Sequence, residues 1–293
     1  MAPDSWAVRE DVLAILAVRS FSTRAERVLT AVAAGKQRPT RLVVAVAAQE
    51  DPTVRAAVES TCGSVPTTTV FVGPCPNLAT VVARARREVT VVEPWVWILH
   101  EDSAPTYDCL SELTAVGERS TKLGAVGPKQ VGWDDPERLV EVGIRATRSG
   151  RRVPEIDVGE RDQGQYDIRS DVLGIGTAGM LVRLAAAEEV GWLDTALGPF
   201  GDGLEFSRRL RAAGWRVAIS PGASIQHERV SFAKGKQSYG KRRAAQLYNS
   251  LVAARALWLP FAVLGYVLGG PIRALARLLT KEPGLAAQEL SAV

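Results

Sequence analysis

The chain has 293 residues, of which 46% are hydrophobic and 23% are charged, so it is long and apolar enough to form a packed globular core. Its net charge of +4 is too small to indicate a nucleic acid partner, although the basic residues are concentrated in the C-terminal third. Three cysteines without a C-x-x-C pair favour reduced thiols, two histidines argue against a multi-histidine zinc site, and the N-terminus lacks the pattern of a signal peptide.

The first hundred residues alternate between apolar strand-like runs and helical segments. The predicted strands cover 11–18, 41–48, 67–72 and 95–99, and the predicted helices cover 23–35, 51–60 and 77–88. Thr23 and Glu26 have the spacing of a capping box at the start of the first helix. Asp51, which precedes a proline, and Asn77 are N-cap candidates for the next two helices. This alternation predicts βαβ units and a mostly parallel sheet.

The second half of the chain predicts shorter elements separated by turns and one long loop. The predictions are a helix over 105–119, a strand over 124–127, two strand pieces within 138–152 joined at 149–150, a strand over 171–184, helices over 185–190 and 204–213, and a strand over 215–220. The dipeptide at 221–222 is expected to turn the chain before His227. The polar segment 154–170 has no helical or strand period, and a loop of that length is typically functional or mobile.

The strand over 95–99 leads directly into two acids, Glu101 and Asp102, and the residues at 103–105 then predict a turn. Carboxylates at the carboxyl edge of a parallel sheet lie where open α/β sheets bind ligands. Their oxygens suit a hard cation such as Mg²⁺ or Mn²⁺, which in turn holds phosphates. The alternative is a solvated turn with two acids, and both interpretations stand on these residues alone.

Residues 174–179 spell G-x-G-x-x-G, the spacing of a dinucleotide-binding fingerprint. That fingerprint should open a helix inside a βαβ unit, whereas the residues from Met180 to Leu184 continue as a strand. We therefore expect the small residues to allow close strand packing or to form an open acceptor floor, rather than to bind a nicotinamide cofactor.

The stretch 256–272 carries no charge and has basic residues on both sides. It reaches the lower limit of roughly 17 residues for a membrane-spanning helix. Trp258 and Tyr266 favour a membrane-surface, re-entrant or spanning segment over a C-terminal helix packed on the core. The basic run from Lys234 to Arg243 is either a solvated face or a contact for anionic lipid headgroups or a polyprenyl-phosphate acceptor.

The motif His100-Glu101-Asp102-Ser103-Ala104-Pro105 resembles the acidic metal motif of family-2 glycosyltransferases with the GT-A fold, in the form carried by an actinobacterial, membrane-associated subgroup. The resemblance continues through residues 127–129, 132–136, 148–152, 162–165, 177–183 and 200–214, and it ends at His227. It implies a mostly parallel, mixed α/β sheet flanked by helices. The implied divisions are a nucleotide-sugar-binding half over 1–103, an acceptor and catalytic half over 104–232, and a basic, apolar C-terminal segment over 233–293.

The chemistry that the resemblance implies is inverting transfer of a sugar from a nucleotide-diphosphate donor, with Mg²⁺ or Mn²⁺ on the diphosphate and an acid that deprotonates the acceptor hydroxyl. Asp102 matches the metal-binding acid of the family, and His227 matches a downstream histidine near the metal. Asp202 is the acid nearest to the family's base position, with Glu205 second. The other implied site residues are Arg19 and Glu101, with Asp102, for the donor, and Thr177, Ala178, Gly179 and Trp192 for the acceptor. Trp192 is equally interpretable as a core residue.

Four positions depart from the family pattern. Ala47 stands where the family carries an Asp that contacts the nucleotide, and Ala79 replaces a glycine near the nucleotide. Gly203 occupies the usual base position, and Glu101 replaces an Asp in the metal motif. These departures leave a second hypothesis open, in which the domain has lost catalysis and serves as a binding or scaffold module for a membrane partner.

The implied partners are a nucleotide-diphosphate sugar, a glycan or polyprenyl-linked acceptor, and a membrane surface or membrane protein. Nucleic acid is not among them. Because members of the subgroup are implied to act on cell-envelope glycans, we expect the protein at the cytoplasmic face of the cell membrane.

Overall fold

The computed structural model describes residues 11–228 and 239–293. They form an α/β fold with a mixed parallel and antiparallel sheet, flanking helices and three C-terminal helices. The N-terminal segment and the part of the predicted basic run that contains Lys234 lie outside the described residues. The strands are β1 (Val12–Val18), β2 (Arg41–Val46), β3 (Thr67–Phe71), β4 (Trp95–His100), β5 (Ser103–Pro105), β6 (Leu123–Gly132), β7 (Leu139–Glu141), β8 (Arg145–Ala146), β9 (Arg152–Val153), β10 (Met180–Arg183) and β11 (Arg216–His227). The helices are α1 (Thr23–Ala34), α2 (Pro52–Cys62), α3 (Leu78–Glu88), α4 (Cys109–Gly117), α5 (Leu184–Val190), α6 (Asp202–Ala212), α7 (Tyr239–Val252), α8 (Leu259–Leu279) and α9 (Pro283–Ser291).

The central sheet has the order β3-β2-β1-β4-β10-β6-β11-β5, and β7 also pairs with β6. The strands β1 to β4 run parallel, as the strand and helix alternation predicted. Strand β4 lies between β1 and the antiparallel β10, and each of its residues is buried because both faces of the sheet are covered. The predicted fold class and the central position of the strand at 95–99 are thus confirmed.

Two of the three predicted helix caps are confirmed. The side chains of Asp51 and Asn77 accept backbone amide hydrogens in the first turns of α2 and α3, at 2.8 and 2.9 Å. The capping box at Thr23 is wrong, because Thr23 is already helical and the N-cap is Ser22, whose side chain makes no cap hydrogen bond. The amide of Glu26 bonds instead to the carbonyl of Ser22, so the backbone alone closes the first turn of α1.

The second half of the sheet is more continuous than the sequence indicated. Residues 103–105 form β5 rather than a turn, because they pair antiparallel with β11. Strand β11 runs through 221–222, where a turn was predicted, and its pairing with β6 shifts register there. A bulge tolerates the proline at 221 because the unpaired residue of a bulge makes no ladder hydrogen bond.

Other boundaries in this half also moved. Strand β6 extends well past the predicted 124–127, and α6 begins at Asp202, two residues before the predicted start. The segment 171–179 makes only isolated bridges, so the predicted strand is reduced to β10. The hairpin turn at 149–150 joins β8 to β9 as predicted, and 154–170 contains none of the named helices or strands.

The uncharged C-terminal stretch forms a short 3₁₀ turn (Ala256–Trp258) followed by α8. The span Ala256–Leu279 is long and apolar enough to cross a membrane, and only 11% of its apolar window is buried inside the protein. Helix α8 packs against α9 and α7, and its buried positions are Gly270 and Ala274. Helix α8 is therefore not packed mainly on the core, which was the alternative prediction. Most of its apolar surface faces outward.

Candidate active site

The ends of β4 and β11 bring three metal-binding side-chain types together. His100 is the last residue of β4, His227 is the last residue of β11, and Asp102 lies in the turn between β4 and β5. Their ligand atoms lie within 4.8 Å of one another, and all three residues are buried. We call these three residues the metal-type group. The Nε2 atom of His227 is 3.6 Å from Oδ1 of Asp102. Asp102 and His227, far apart in sequence, thus converge as predicted.

The two imidazoles are held in states that can bind a cation. Nδ1 of His227 donates to Oε1 of Gln130 at 2.9 Å, which leaves the Nε2 lone pair on the side of Asp102. Burial lowers the pKa of His100 to about 4, so its imidazole is neutral at pH 7. Its Nε2 atom is buried and has no hydrogen-bond partner within the described part of the chain.

This donor set fits a divalent transition-metal ion. Two imidazole nitrogens and one carboxylate oxygen suit such an ion, whereas Mg²⁺ prefers oxygen ligands and retained water. Of the two cations predicted, the donor set favours Mn²⁺. Sequence reasoning missed His100 as a ligand, although its two-residue spacing from Asp102 at the end of a buried strand was a usable signal.

The neighbouring acid, Glu101, binds backbone amides and does not belong to the group of three ligands. Its Oε2 accepts hydrogen bonds from the backbone amides of Arg19 and Ser20, at 2.8 and 3.1 Å, and so ties the end of β4 to the end of β1. Burial raises the pKa of Glu101, although these two amides oppose the rise. The side chain of Arg19 is 64% exposed and lies 3.9 Å from Glu101. Two of the three predicted donor residues, Arg19 and Glu101, therefore lie at the carboxyl edge of β1, beside the third, Asp102.

Asp202 is the first residue of α6 and faces the same region. Its Oδ2 accepts a hydrogen bond from Oγ1 of Thr177 at 3.2 Å, and its Oδ1 accepts one from the amide of Gly203 at 2.9 Å. Burial is the main cause that raises the pKa of Asp202 above the usual value. The carboxylate is thus oriented, and its proton affinity is shifted toward that of a general base.

The other two positions near the expected base do not serve that role. Glu205 is 3% exposed, and both of its oxygens accept from Arg209, at 2.5 and 2.7 Å, so it is not a second base candidate. A Cβ atom at Gly203 would lie 2.2 Å from the carbonyl oxygen of Ile175. Position 203 therefore has no room for an acid, and reinstating one there, as the family pattern suggested, is sterically excluded without backbone movement.

Two cavities meet at this group. One has a volume of ≈ 500 Å³ and is lined by residues of β6, β7, β11 and the loops around Thr177 and Phe200. The other, at the carboxyl edge of β1 and the start of α3, is only ≈ 70 Å³ and includes Arg19 and Glu101. The residues that line both cavities are His100, Pro199 and Asp202. A nucleophile in the large cavity and a donor in the small one would therefore meet beside His100 and Asp202.

The predicted acceptor residues divide between the cavity and the core. Thr177 and Ala178 line the large cavity. Gly179 packs against a proline and an isoleucine at φ +79°, a backbone conformation that favours glycine. Trp192 is 6% exposed, and the guanidinium of Arg86 stacks 3.7 Å from its ring centroid. Trp192 is therefore a core residue, and the expectation that it binds acceptor is wrong.

The glycine motif at 174–179 is explained by packing. A Cβ at Gly176 would lie 2.5 Å from Nε2 of Gln130 and 2.6 Å from Oε1 of Glu141. A Cβ at Gly174 would lie 3.0 Å from Cβ of Ser207. The motif is followed by β10 and not by a helix, so the dinucleotide interpretation fails and close packing is confirmed.

Four further cavity residues were not assigned from the sequence. Gln130 orients His227, and Glu141 pairs with Arg152 at 2.5 Å in the wall of the large cavity. Arg242, on α7, lines the same cavity. Arg152 belongs to a motif that the family resemblance included, but its role depends on the hairpin that carries it toward β7, which no local pattern reveals.

Comparisons with known proteins give a family match and similar folds. The model of a family described as "Glycosyltransferase like family 2" matches residues 12–249. A crystal structure of GalNAc-T7 with UDP, GalNAc and Mn²⁺ is similar with a TM-score of 0.60 at 10% identity, over 80% of this chain and 47% of that one. S. aureus TarS 1-349 in complex with UDP-GlcNAc is similar with a TM-score of 0.55 at 12% identity, over 97% of this chain and 81% of that one. No curated protein matches the chain.

The structural similarities and the family match support different conclusions. At 10–12% identity the structural similarities show the fold, which is that of GT-A glycosyltransferases. The chain spans about half the length of the GalNAc-T7 chain that it matches. The family match, in contrast, includes β4, β11 and α6, and therefore all the residues that form the candidate site.

Proposed function

We propose, from the premise that the chain belongs to the glycosyltransferase like family 2, that it transfers a sugar from a nucleotide-diphosphate donor to an acceptor hydroxyl with inversion at the anomeric carbon. The observation that carries this proposal is the shared wall of the two cavities, where His100 and Asp202 both face donor and acceptor spaces. A metal-type group and an oriented acid at one boundary are what such a transfer requires.

The residues that would hold the cation are His100, Asp102 and His227, with Gln130 fixing the tautomer of His227. A bound Mn²⁺ would supply positive charge that stabilises the diphosphate leaving group. Because burial lowers the pKa of His100 to about 4, its imidazole is neutral at pH 7 and offers a lone pair to the cation.

Asp202 is proposed as the general base. It accepts the proton of the acceptor hydroxyl, the hydroxyl oxygen forms a bond to the anomeric carbon, and the bond between that carbon and the diphosphate oxygen breaks with its electron pair on the diphosphate. Attack from the face opposite the leaving group inverts the configuration. The hydrogen bond from Thr177 holds the carboxylate in place for this step.

The donor cavity must open before a nucleotide sugar can enter, because ≈ 70 Å³ is far below the roughly 300–1,000 Å³ of ordinary ligand pockets. The segment that narrows it contains Pro199. Asn77 holds this segment through hydrogen bonds to the carbonyls of Thr195 and Leu197, at 2.9 and 2.8 Å. We expect weak donor affinity, since opening costs these bonds and Ala47 offers no side-chain oxygen to the nucleotide.

The acceptor is proposed to be a cell-envelope glycan or a polyprenyl-linked sugar, and the protein is proposed to work at the cytoplasmic face of the membrane. The support is the outward-facing apolar surface of α8 and the location of α7, whose Arg242 lines the large cavity. The base of the donor nucleotide is not assigned. Uridine nucleotides are the first to test, because the two similar structures named above contain them.

The test is release of nucleotide from a panel of UDP-, GDP- and dTDP-sugars by the full chain, with Mn²⁺, with Mg²⁺ and with chelator. We expect release that depends on Mn²⁺ and is lost in Asp102→Asn. The matched control is Asp108→Asn, which removes an exposed acid paired with Lys36 outside both cavities. Equal release by the wild type and Asp102→Asn would remove the metal-type group from the reaction.

The second hypothesis, a domain that has kept the fold and lost catalysis, is favoured by one observation, the donor cavity of only ≈ 70 Å³. It predicts that no donor binds under any metal condition, whereas the proposed transferase predicts weak, Mn²⁺-dependent binding. Titration calorimetry at high protein concentration separates these outcomes.

A further inference from the structure

A second large cavity lies between the catalytic half of the fold and the C-terminal helices. It has a volume of ≈ 640 Å³ and is bounded by the β8–β9 hairpin, the loop that leads into α6, and the helices α7, α8 and α9. Its described lining contains a single acid, Glu289, and six arginines. These arginines are Arg151, Arg152, Arg242, Arg243, Arg273 and Arg277. We call this space the arginine cavity.

The described lining of the arginine cavity is mainly positive, with six guanidinium groups and one carboxylate. Several of its arginines pair with carboxylates, among them two carboxylates of residues outside the lining. The pairs are Arg243 and Arg273 with Glu289 (3.3 and 3.4 Å), Arg152 with Glu141 (2.5 Å) and Arg277 with Glu282 (2.8 Å). The described lining thus remains dominated by arginine, although several of these guanidinium groups form ion pairs.

One guanidinium nitrogen in this cavity lacks a hydrogen bond. The Nη2 atom of Arg273 is buried and has no partner in the two described segments of the chain. A buried, charged donor without a partner is costly, so an anionic ligand in the cavity would remove a penalty as well as supply contacts. Guanidinium forks match phosphate oxygens in geometry and bind them through two parallel hydrogen bonds.

The arginine cavity adjoins both the candidate active site and an apolar helix surface. It shares Arg152, Phe200, Gly201 and Arg242 with the large cavity of the active site, and Asp202 follows Gly201 in the chain. Helix α8 contributes arginines to the cavity, while its large apolar side chains are more than a third exposed. These exposed residues of α8 are Leu259, Phe261, Val263, Leu264, Val267, Leu268, Ile272, Leu275, Leu278 and Leu279.

We infer that the arginine cavity binds the phosphate-bearing headgroup of a lipid-linked acceptor, with the apolar chain of that lipid along α8 and a hydroxyl of the headgroup's sugar directed toward Asp202. The inference rests on the proposed transferase function and assigns the acceptor class for it. A phosphate oxygen is already ionised and needs no general base. The presence of an oriented acid at the shared boundary therefore favours a sugar hydroxyl, and not the phosphate itself, as the nucleophile.

The test is titration calorimetry of the full chain in detergent with farnesyl diphosphate, farnesol and inorganic diphosphate as separate ligands. The wild type is expected to bind farnesyl diphosphate more tightly than either of the other two. The double variant Arg151→Gln/Arg273→Gln is expected to lose at least about tenfold in affinity, because each lost charged hydrogen bond is worth roughly that factor or more. Arg151→Lys/Arg273→Lys should fall between the two, since it keeps the charges but loses the forks.

Arg255→Gln is the matched control, because it removes one exposed arginine beside α8 that does not line the arginine cavity. Equal loss in this control and in the double variant would show general charge attraction and would overturn the inference. Equal affinity for inorganic diphosphate and farnesyl diphosphate would also overturn it, in favour of a soluble anion.

Each protein is also titrated with UDP in the presence of Mn²⁺, which separates the inference from the proposed function. Retained UDP binding in the double variant, together with lost farnesyl diphosphate binding, supports the assignment and shows that the variant is folded. Farnesyl diphosphate binding by a wild type that binds no nucleotide would leave the lipid-headgroup site standing and would contradict the transferase proposal.

Discussion

The hydrogen bond between Gln130 and His227 offers a sharp perturbation of the metal-type group without touching a ligand. In Gln130→Leu, an apolar side chain one atom shorter replaces the amide on β6, and Nδ1–H of His227 loses its acceptor at 2.9 Å. An unpaired buried donor costs about 1–3 kcal/mol. The imidazole also becomes free to move its hydrogen to Nε2, the atom that faces Asp102.

The expected consequence is weaker cation binding, because outer-shell partners of ligating histidines contribute about 10- to 100-fold in metal affinity. This factor corresponds to about 1.4–2.7 kcal/mol, which agrees with the cost of the orphaned donor. Gln130→Glu keeps an acceptor oxygen at the same position and should retain most of the affinity.

The assay is a Mn²⁺ titration followed by electron paramagnetic resonance of the free ion, in the wild type and both variants. Gln226→Leu is the matched control, because it makes the same exchange on β11 at a side chain bonded to Arg27 and not to a member of the metal-type group. Wild-type Mn²⁺ affinity in Gln130→Leu would refute the view that Gln130 sets the tautomer of a ligand.

Further predictions concern the base, the closed glycine position and the C-terminal helix. Asp202→Asn should lower the transfer rate by about 10²–10⁴ and leave Mn²⁺ and nucleotide binding unchanged. Because burial raises the pKa of Asp202 above 3.8, the wild-type rate should fall as pH is lowered through that raised pKa, and a rate profile that continues down to the ordinary value would count against Asp202. Gly203→Asp should not restore activity and should lower the free energy of unfolding by about 1–3 kcal/mol or more, as measured by chemical denaturation, because its Cβ meets the carbonyl of Ile175. Leu264→Glu/Leu268→Glu, at side chains 54% and 58% exposed, should reduce flotation with anionic liposomes without lowering the melting temperature, and undiminished flotation would mean that α8 is not the membrane contact.

The sequence predicted the elements whose cause is local. The buried strand at 95–99, the parallel order that follows from three βαβ units, and the caps at Asp51 and Asn77 depend on patterns within a few residues. The meeting of Asp102 and His227 was accessible only through the family resemblance, because their proximity depends on the pairing of β11 with β5 and β6.

The missed features depend on tertiary contacts. Nothing near residues 103–105 shows that they pair with β11, and nothing near Glu205 shows that Arg209 one turn later occupies both of its oxygens. The sequence allowed Trp192 to stack on a sugar or to lie in the core, and only the fold shows that it is buried and stacked on Arg86. The sequence indicated that Gly203 had replaced a catalytic base. It cannot show that the carbonyl oxygen of Ile175 leaves no room for a side chain at this position.

The central claim is that the group of His100, Asp102 and His227 holds a cation through which the donor diphosphate binds. Its most direct test is calorimetric titration of UDP into the full chain with and without Mn²⁺, in the wild type and in Asp102→Asn. We predict UDP binding by the wild type that requires Mn²⁺ and is absent in Asp102→Asn. Binding that is independent of Mn²⁺, or that persists in the variant, would contradict the claim.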